Sequence, residues 1–277
     1  MNALLLGSLL LSTAQATWSI VAYDTTSNVV GGAGTSCVGT FDVSIILGVS
    51  PANGAVHAQA YLNEQARDQA VELLSQGQSP ADIVAVITAG SFDPQSGYRQ
   101  YGIVDSQGRS AGFTGPNNGD WAGDVQGTVD NIVYSVQGNI LTSETVVQRT
   151  ADRFQAHSSC DLAENLWEAL KSGRRQNEGD SRCTDSGIPS DSAFIRVVNP
   201  DGSDLLHLSV VGDSQEDPLD RLQLQFDDWR AANPCPEIED PTVSEDKEGR
   251  CQIGPNGSSV WLFLLAGGVL MRRFDDT

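Results

Sequence analysis

Apolar and polar positions alternate in short runs through most of the chain, and the period of alternation changes as it proceeds. Thr17 to Tyr23 mixes β-branched and aromatic residues and stops at Asp24, which predicts a strand. Val29 to Ser36 predicts a second, with Gly31, Gly32 and Gly34 permitting close backbone approach. Val43 to Val49 and Ala55 to Tyr61 predict two more. The period then lengthens. Ala66, Ala70, Leu73 and Leu74 share one helical face, and Ser79-Pro80 reads as the N-cap and first residue of a second helix carrying Ile83, Val84 and Ile87. Gln100 to Val104 and Ser110 to Thr114 flank the turn Asp105-Ser106-Gln107-Gly108 as a hairpin. Ile132 to Gln137 predicts a further strand. Ser143 opens a helix containing Val146, Val147 and Phe154, and Asp161 opens another that runs through Leu170. Phe194 to Val198 and Leu205 to Val211 read as a hairpin around Asn199-Pro200-Asp201-Gly202, and a helix over Leu219 to Trp229 closes the body. Strands and helices come in groups rather than singly, which disfavours a doubly wound parallel sheet. The grouping predicts an α+β fold of two packed sheets with helices outside.

The two ends follow other rules. Ala3 to Leu11 is an apolar run, and Ala14-Gln15-Ala16 has the small-x-small form of an export cleavage site, so residues 1–16 read as a signal peptide. Its n-region lacks Lys and Arg, and a buried first strand or helix is the competing reading. Residues 233–250 hold three prolines and a dense run of acids, a composition that reads as a solvated stalk. Residues 251–277 run from Cys251 through the apolar Val260 to Met271 to Arg272-Arg273. That order resembles the C-terminal sorting tails of bacterial surface proteins, with a permanent single anchor as the alternative. The folded body is then 17–232, exported and attached to the cell envelope or surface, or released from it.

Charge narrows the classes of partner. The chain has 277 residues with 16 Lys+Arg against 36 Asp+Glu, a formal net charge of −20. Such a surface argues against tracking nucleic-acid phosphates and against adhesion to anionic lipid, so membrane contact is expected through the tail alone. The five cysteines, in an oxidising compartment, are candidates for bridges. Cys160 and Cys183 flank a helix and a polar loop, and their pairing is expected. Cys235 and Cys251 are placed to close the stalk, while Cys37 reads as a small buried residue. There is no C-x-x-C or H-E-x-x-H and the three histidines are scattered, so neither metal nor cofactor is expected.

Within the body, Thr17-Trp18-Ser19-Ile20-Val21-Ala22-Tyr23-Asp24 and Gly32-Ala33-Gly34-Thr35-Ser36 resemble the opening of the DUF1028 family. Ala58-Gln59-Ala60-Tyr61 with Asn63, Arg99-Gln100-Tyr101-Gly102-Ile103-Val104-Asp105, Thr114-Gly115 and Asp120-Trp121-Ala122-Gly123 follow in family order. Val136-Gln137-Gly138-Asn139-Ile140-Leu141, Asp217-Pro218-Leu219 and Arg221-Leu222 complete a resemblance that covers the whole body. It implies a four-layer αββα sandwich of the N-terminal nucleophile (Ntn) hydrolase kind, without a named substrate. Asp124 stands where a His commonly follows W-A-G, and the segment from Asp180 to Asp191 carries a Cys and extra polar residues.

The chemistry of such a site can be built from the residues. A Thr hydroxyl needs a base within hydrogen-bond reach, and at a chain terminus the α-amine is one, with a pKa near 8. Cleavage after Ala16 would create nucleophile and base together at Thr17. Gln59, Asn63, Arg99, Gln100 and Asn139 are polar residues at strand ends in the resembling segments. Asn139 is the candidate donor to a developing oxyanion, and Arg99 the candidate anchor for a substrate carboxylate. Asp180 is the candidate to orient the amine or Arg99. The expected activity is hydrolysis of a small amide or peptide. The alternative is a catalytically silent domain that binds a surface ligand or serves as structure, and a homo-oligomer is compatible with either.

Overall fold

The computed structural model describes residues 16–156, 159–212, 216–235, 243–245 and 251–253. It divides into two compact units, residues 1–235 and 236–277. In the second, Val243–Glu245, in the expected solvated stalk, pairs antiparallel with Cys251–Ile253, at the head of the expected tail. The signal-peptide and apolar-tail expectations lie outside the described residues. No helix among the described residues is long and apolar enough to cross a membrane.

Among its described residues, the first unit is a mixed α/β body with two antiparallel sheets and five α-helices. In chain order its strands are β1 Thr17–Asp24, β2 Val30–Ser36, β3 Leu47–Ser50, β4 Gly54–Ala60 and β5 Arg99–Asp105. They continue with β6 Ser110–Thr114, β7 Trp121–Val129, β8 Ile132–Leu141, β9 Ser192–Val198 and β10 Asp204–Val210. The helices are α1 Glu64–Ser75, α2 Pro80–Ile87, α3 Thr145–Ala156, α4 Leu162–Gly173 and α5 Pro218–Ala232. One sheet has the order β10-β9-β2-β1-β8-β7, the other β3-β4-β5-β6.

Local chemistry sets several boundaries as expected. Ser79 caps α2 by accepting from the Asp82 amide, with Pro80 in the first turn, and Asp161 caps α4 through the Glu164 amide. Two segments differ from the sequence pattern. Val43 to Val49 is not one strand: Val43–Ile46 is a 3-10 turn capped by Asp42, which places Val43 and Ile46 on one buried face. Strand β7 escapes an apolar alternation because it is a half-exposed edge, Trp-Ala-Gly-Asp-Val-Gln-Gly-Thr-Val, with a register shift between Trp121 and Gly123.

The period-two alternation of β1 separates two environments. Trp18, Ile20 and Ala22 face α3 and α4 and join the core that also holds Trp167, Leu170 and Phe226. Val21 and Tyr23 point the other way, toward Ala55 and Val104 of the second sheet. That second sheet turns its far face to α1 and α2, where Val56, Ala58, Tyr101 and Ile103 meet Ala66, Leu74, Ile83 and Ile87.

The layer between the sheets is apolar at one end and polar at the other. Ser19 donates to Gln59 Oε1 at 2.6 Å and accepts from Gln137 Nε2 at 2.6 Å, while His57 Nδ1 lies 2.8 Å from the same hydroxyl. Two glycines make room for this layer. A Cβ at Gly32 would come within 2.4 Å of His57 Nε2, and one at Gly102 within 1.9 Å of Gln137 Oε1. Ser19 has one proton and gives it to Gln59, His57 Nδ1 also lies 3.1 Å from Gln137 Nε2, and the ring's Nε2 is buried with no hydrogen-bond partner.

Full burial pushes the His57 imidazole from 6.5 down to about 3. A folded pKa below the unfolded one means that the unfolded chain takes up a proton the folded chain refuses. Stability therefore falls as pH drops below 6.5 toward 3. Between pH 7 and pH 4 this site alone removes about 3 kcal/mol. Urea unfolding of the parent and His57→Gln across that range measures it: the parent should lose about 3 kcal/mol more than the variant. Parallel pH dependences would show that His57 protonates in the folded state.

Candidate active site

Thr17 opens β1 in the interior of the six-stranded sheet, opposite Ser36 on β2 and Asn139 on β8. Its side chain continues the row that Ser19 occupies, so it meets the polar end of the inter-sheet layer. Thr17 Oγ1 donates to Ser36 Oγ at 3.2 Å, and Ser36 Oγ donates in turn to the Ala16 carbonyl. Arg182 Nη2 reaches the same carbonyl at 3.3 Å. Two donors thus converge on the carbonyl of the Ala16–Thr17 peptide, with the Thr17 hydroxyl alongside one of them.

Asp180 supports this arrangement from behind. It is fully buried, and its Oδ2 accepts from the Cys37 amide at 2.7 Å and from Arg182 Nη2 at 3.0 Å. Its Oδ1 accepts from the Arg182 amide and Nε at 3.0 and 3.2 Å. Burial pushes the Asp180 carboxyl up, despite the opposing pull of Arg182. The backbone pairs Asp180 with Leu141, just beyond Asn139 on β8.

Gln59 and Gln100 close the other side. Gln59 Nε2 reaches the Thr17 carbonyl at 3.4 Å and donates to Gln100 Oε1 at 2.8 Å. Asn139 Nδ2 also donates to Gln100 Oε1, at 3.0 Å, which leaves Asn139 Oδ1 buried and without a partner. Asn139 therefore places an unpaired acceptor here beside its amide nitrogen, the candidate oxyanion donor, one of whose two protons goes to Gln100. Gln100 Nε2 donates to Thr114 Oγ1 at 2.9 Å, and that hydroxyl donates to Asp124. Asp124 is thereby linked to the polar layer through Thr114 and Gln100.

Five residues singled out in the sequence thus come together: Thr17, Gln59, Gln100, Asn139 and Asp180. Asn63 and Arg99 do not join them. Arg99 precedes Gln100 on β5, so alternation sends it to the helix side of the sheet. There Arg99 Nε pairs with Asp93 Oδ2 at 2.7 Å, its guanidinium donates to the Tyr61 carbonyl, and it stacks 4.7 Å over the Tyr61 ring. Asn63 caps α1 through the Ala66 amide and donates to Asp93 at 2.9 Å. Burial alone would raise the Asp93 carboxyl, but hydrogen bonds from Arg99, Asn63 and the Gln95 amide outweigh it and hold the group below the ordinary carboxylate range.

Ser36 and Arg182 were not singled out from the sequence. Ser36 had a usable signal, since antiparallel pairing of the first two strands puts it opposite Thr17. Arg182 had none, because its segment reaches the site by a long-range return. That return also corrects the cysteine pairing. Cys183 bonds to Cys37, with Cα atoms 5.8 Å apart, because the Asp180–Asp191 segment runs beside the end of β2, where the Asp191 amide donates to the Ser36 carbonyl. Cys160 bonds to Cys235 rather than Cys183, since the start of α4 meets the end of α5 through Asp161 and Arg230, 2.7 Å apart. Cys37, Cys183 and Asp191 bring three potential metal ligands within 4.8 Å, but the two sulfurs are bonded to each other and offer no thiolate.

Fold and site together define a two-sheet α/β body whose first strand carries a hydroxyl residue into a buried polar cluster. The family model of DUF1028, a family of unknown function, matches residues 17–222, and the chain belongs to that family. A crystal structure of protein SPO2555 from Silicibacter pomeroyi, of the same family, is similar with a TM-score of 0.63 and 24% identity. The match covers 78% of this chain and 89% of that one, and it speaks to the fold alone. No curated protein matches the chain in sequence.

Proposed function

We propose that this protein is an exported amide hydrolase of the N-terminal nucleophile class, with a four-layer αββα sandwich and Thr17 as its nucleophile. The observation that carries the reading is the setting of Thr17, at the head of an interior strand with its hydroxyl beside two donors aimed at the neighbouring carbonyl oxygen. Removal of residues 1–16 would leave an α-amine in place of the Ala16–Thr17 amide. That amine, neutral in useful fraction near pH 8, takes the Oγ1 proton as the oxygen attacks a substrate carbonyl. Ser36 and Arg182 are placed to stabilise the oxyanion. The leaving amine takes the proton back, and water then releases the acyl group from Thr17.

A catalytically silent ligand-binding or structural module is the second reading. It is favoured by one feature: the side chains of Gln59, Gln100 and Asn139 are engaged with one another.

The tail after Cys251 is proposed to hold the protein at the envelope. Intact mass and N-terminal sequencing of protein recovered from the envelope fraction test the precursor step. The expected N-terminus is Thr17. A mature start at Gln15, Ala16 or Trp18 would remove the nucleophile and leave the second reading.

A further inference from the structure

We propose that the Cys37–Cys183 bridge is a thiol-exchange site, at which a small dithiol unlatches the segment that holds Arg182 against the Ala16 carbonyl. Three observations lead there. First, the bridge joins the two elements that converge on this carbonyl: Cys37 directly follows Ser36, and Cys183 directly follows Arg182. Second, the two sulfurs differ in access. Cys183 is 2% exposed, whereas Cys37 is half-buried, with its Sγ 3.7 Å from Asp191 Oδ2. Third, the segment leans on the bridge. The backbone bonds of Cys183, Thr184, Ser186 and Gly187 run to residues 180, 180, 183 and 184, so they stay within the segment. Hydrogen bonds anchor the segment on either side of that run, from the Cys37 amide to Asp180 and from the Asp191 amide to the Ser36 carbonyl, and the bridge to Cys37 is the covalent tie between them.

The exchange balances without any group beyond the reagent. A thiolate attacks Cys37 Sγ, the Cys37–Cys183 bond breaks, and a mixed disulfide forms on Cys37. Cys183 leaves as a thiolate and takes a proton from water. A second thiol attacks the mixed disulfide and frees Cys37, so that two electrons pass from the reagent to the bridge and the reagent ends as its own disulfide. With the latch open, Cys37 still offers its amide to Asp180, but Arg182 is held only by non-covalent contacts. The proposal does not require Thr17 to be a nucleophile, because its readouts are structural.

The test isolates this bridge in Cys160→Ala/Cys235→Ala/Cys251→Ala, using reduced glutathione and then dithiothreitol without denaturant. Peptide mapping should find the glutathione adduct on Cys37 and not on Cys183. After dithiothreitol, amide hydrogen exchange over residues 181–187 should quicken by about tenfold or more, with β1 and β2 amides unchanged. An adduct that forms only in urea, or unchanged exchange over 181–187 after complete reduction, would overturn the proposal. If the triple variant does not fold, both readouts are taken on the natural chain, whose cysteine peptides separate in the map.

Discussion

Thr17→Ala, in the chain that begins at residue 17, is expected to lose amide hydrolysis by about a thousandfold or more while keeping its fold. The asymmetry follows from what the hydroxyl does. Structurally it donates to Ser36 Oγ at 3.2 Å, a bond whose removal costs about 1 kcal/mol. Chemically it is the atom that forms the acyl bond, and the α-amine that takes its proton belongs to the same residue. Thr17→Ser should retain part of the rate, because hydroxyl and amine both survive. Acetylation of the α-amine should stop turnover, since the acetylated nitrogen no longer takes a proton. With no substrate in hand, a screen of small amides and peptides comes first. An electrophilic β-lactone probe offers a direct readout, with the mass of one acyl group added to the Thr17 peptide. If Thr17→Ala cleaves a found substrate at the parental rate, or the lactone labels another residue, the nucleophile lies elsewhere.

The second large effect concerns stability. Arg99→Met should destabilise the body by about 3–5 kcal/mol, because it leaves the Asp93 carboxylate buried without its cation. Asp93 is 4% and Arg99 7% exposed at the side chain, so solvent cannot replace the lost partner. Asp93→Leu should cost a similar amount, now stranding the guanidinium. The double variant Asp93→Leu/Arg99→Met removes both charges and should recover much of the loss. Urea unfolding of the four proteins completes the cycle. A substrate-anchoring arginine would behave otherwise, changing KM with stability held. Unfolding of Arg99→Met within about 1 kcal/mol of the parent would restore that role.

Much of this fold is legible because its signals are local. Ser79-Pro80 and Asp161 act on amides a few residues away, and the turns at 105–108 and 199–202 join strands adjacent in sequence. The 3-10 turn at Val43–Ile46 is less visible, since apolar residues three apart also suit a strand followed by an irregularity. Strand β7 is hidden because an edge strand needs no continuous apolar face. The bridges are beyond local reading: Cys37 and Cys183 are 146 residues apart and meet only after the chain returns beside β2.

The site divides along the same line. Gln59, Gln100 and Asn139 sit at strand ends, as their segments imply, and pairing of the first two strands adds Ser36. The adjacency of Arg99 and Gln100 held a further clue. Neighbours on a strand face opposite ways, so only one of the two could reach Thr17. Arg182 required the tertiary path of the 180–191 segment, which no periodicity records.

The place of β1 inside its sheet also bears on the order in which the body can assemble. Its partner β2 is made almost at once, but the opposite side waits for Ile132 to Leu141, more than a hundred residues downstream. Beyond β2, the sheet is extended only when Ser192 to Val198 arrives. Contacts this distant in sequence slow folding, because a long loop must close before any of them forms. A chain stopped short of Ile132 has nothing to cover that flank of its first strand. The residue at the head of β1 is the first of the body to be synthesised, yet its side toward Asn139 is enclosed only after half the chain has followed.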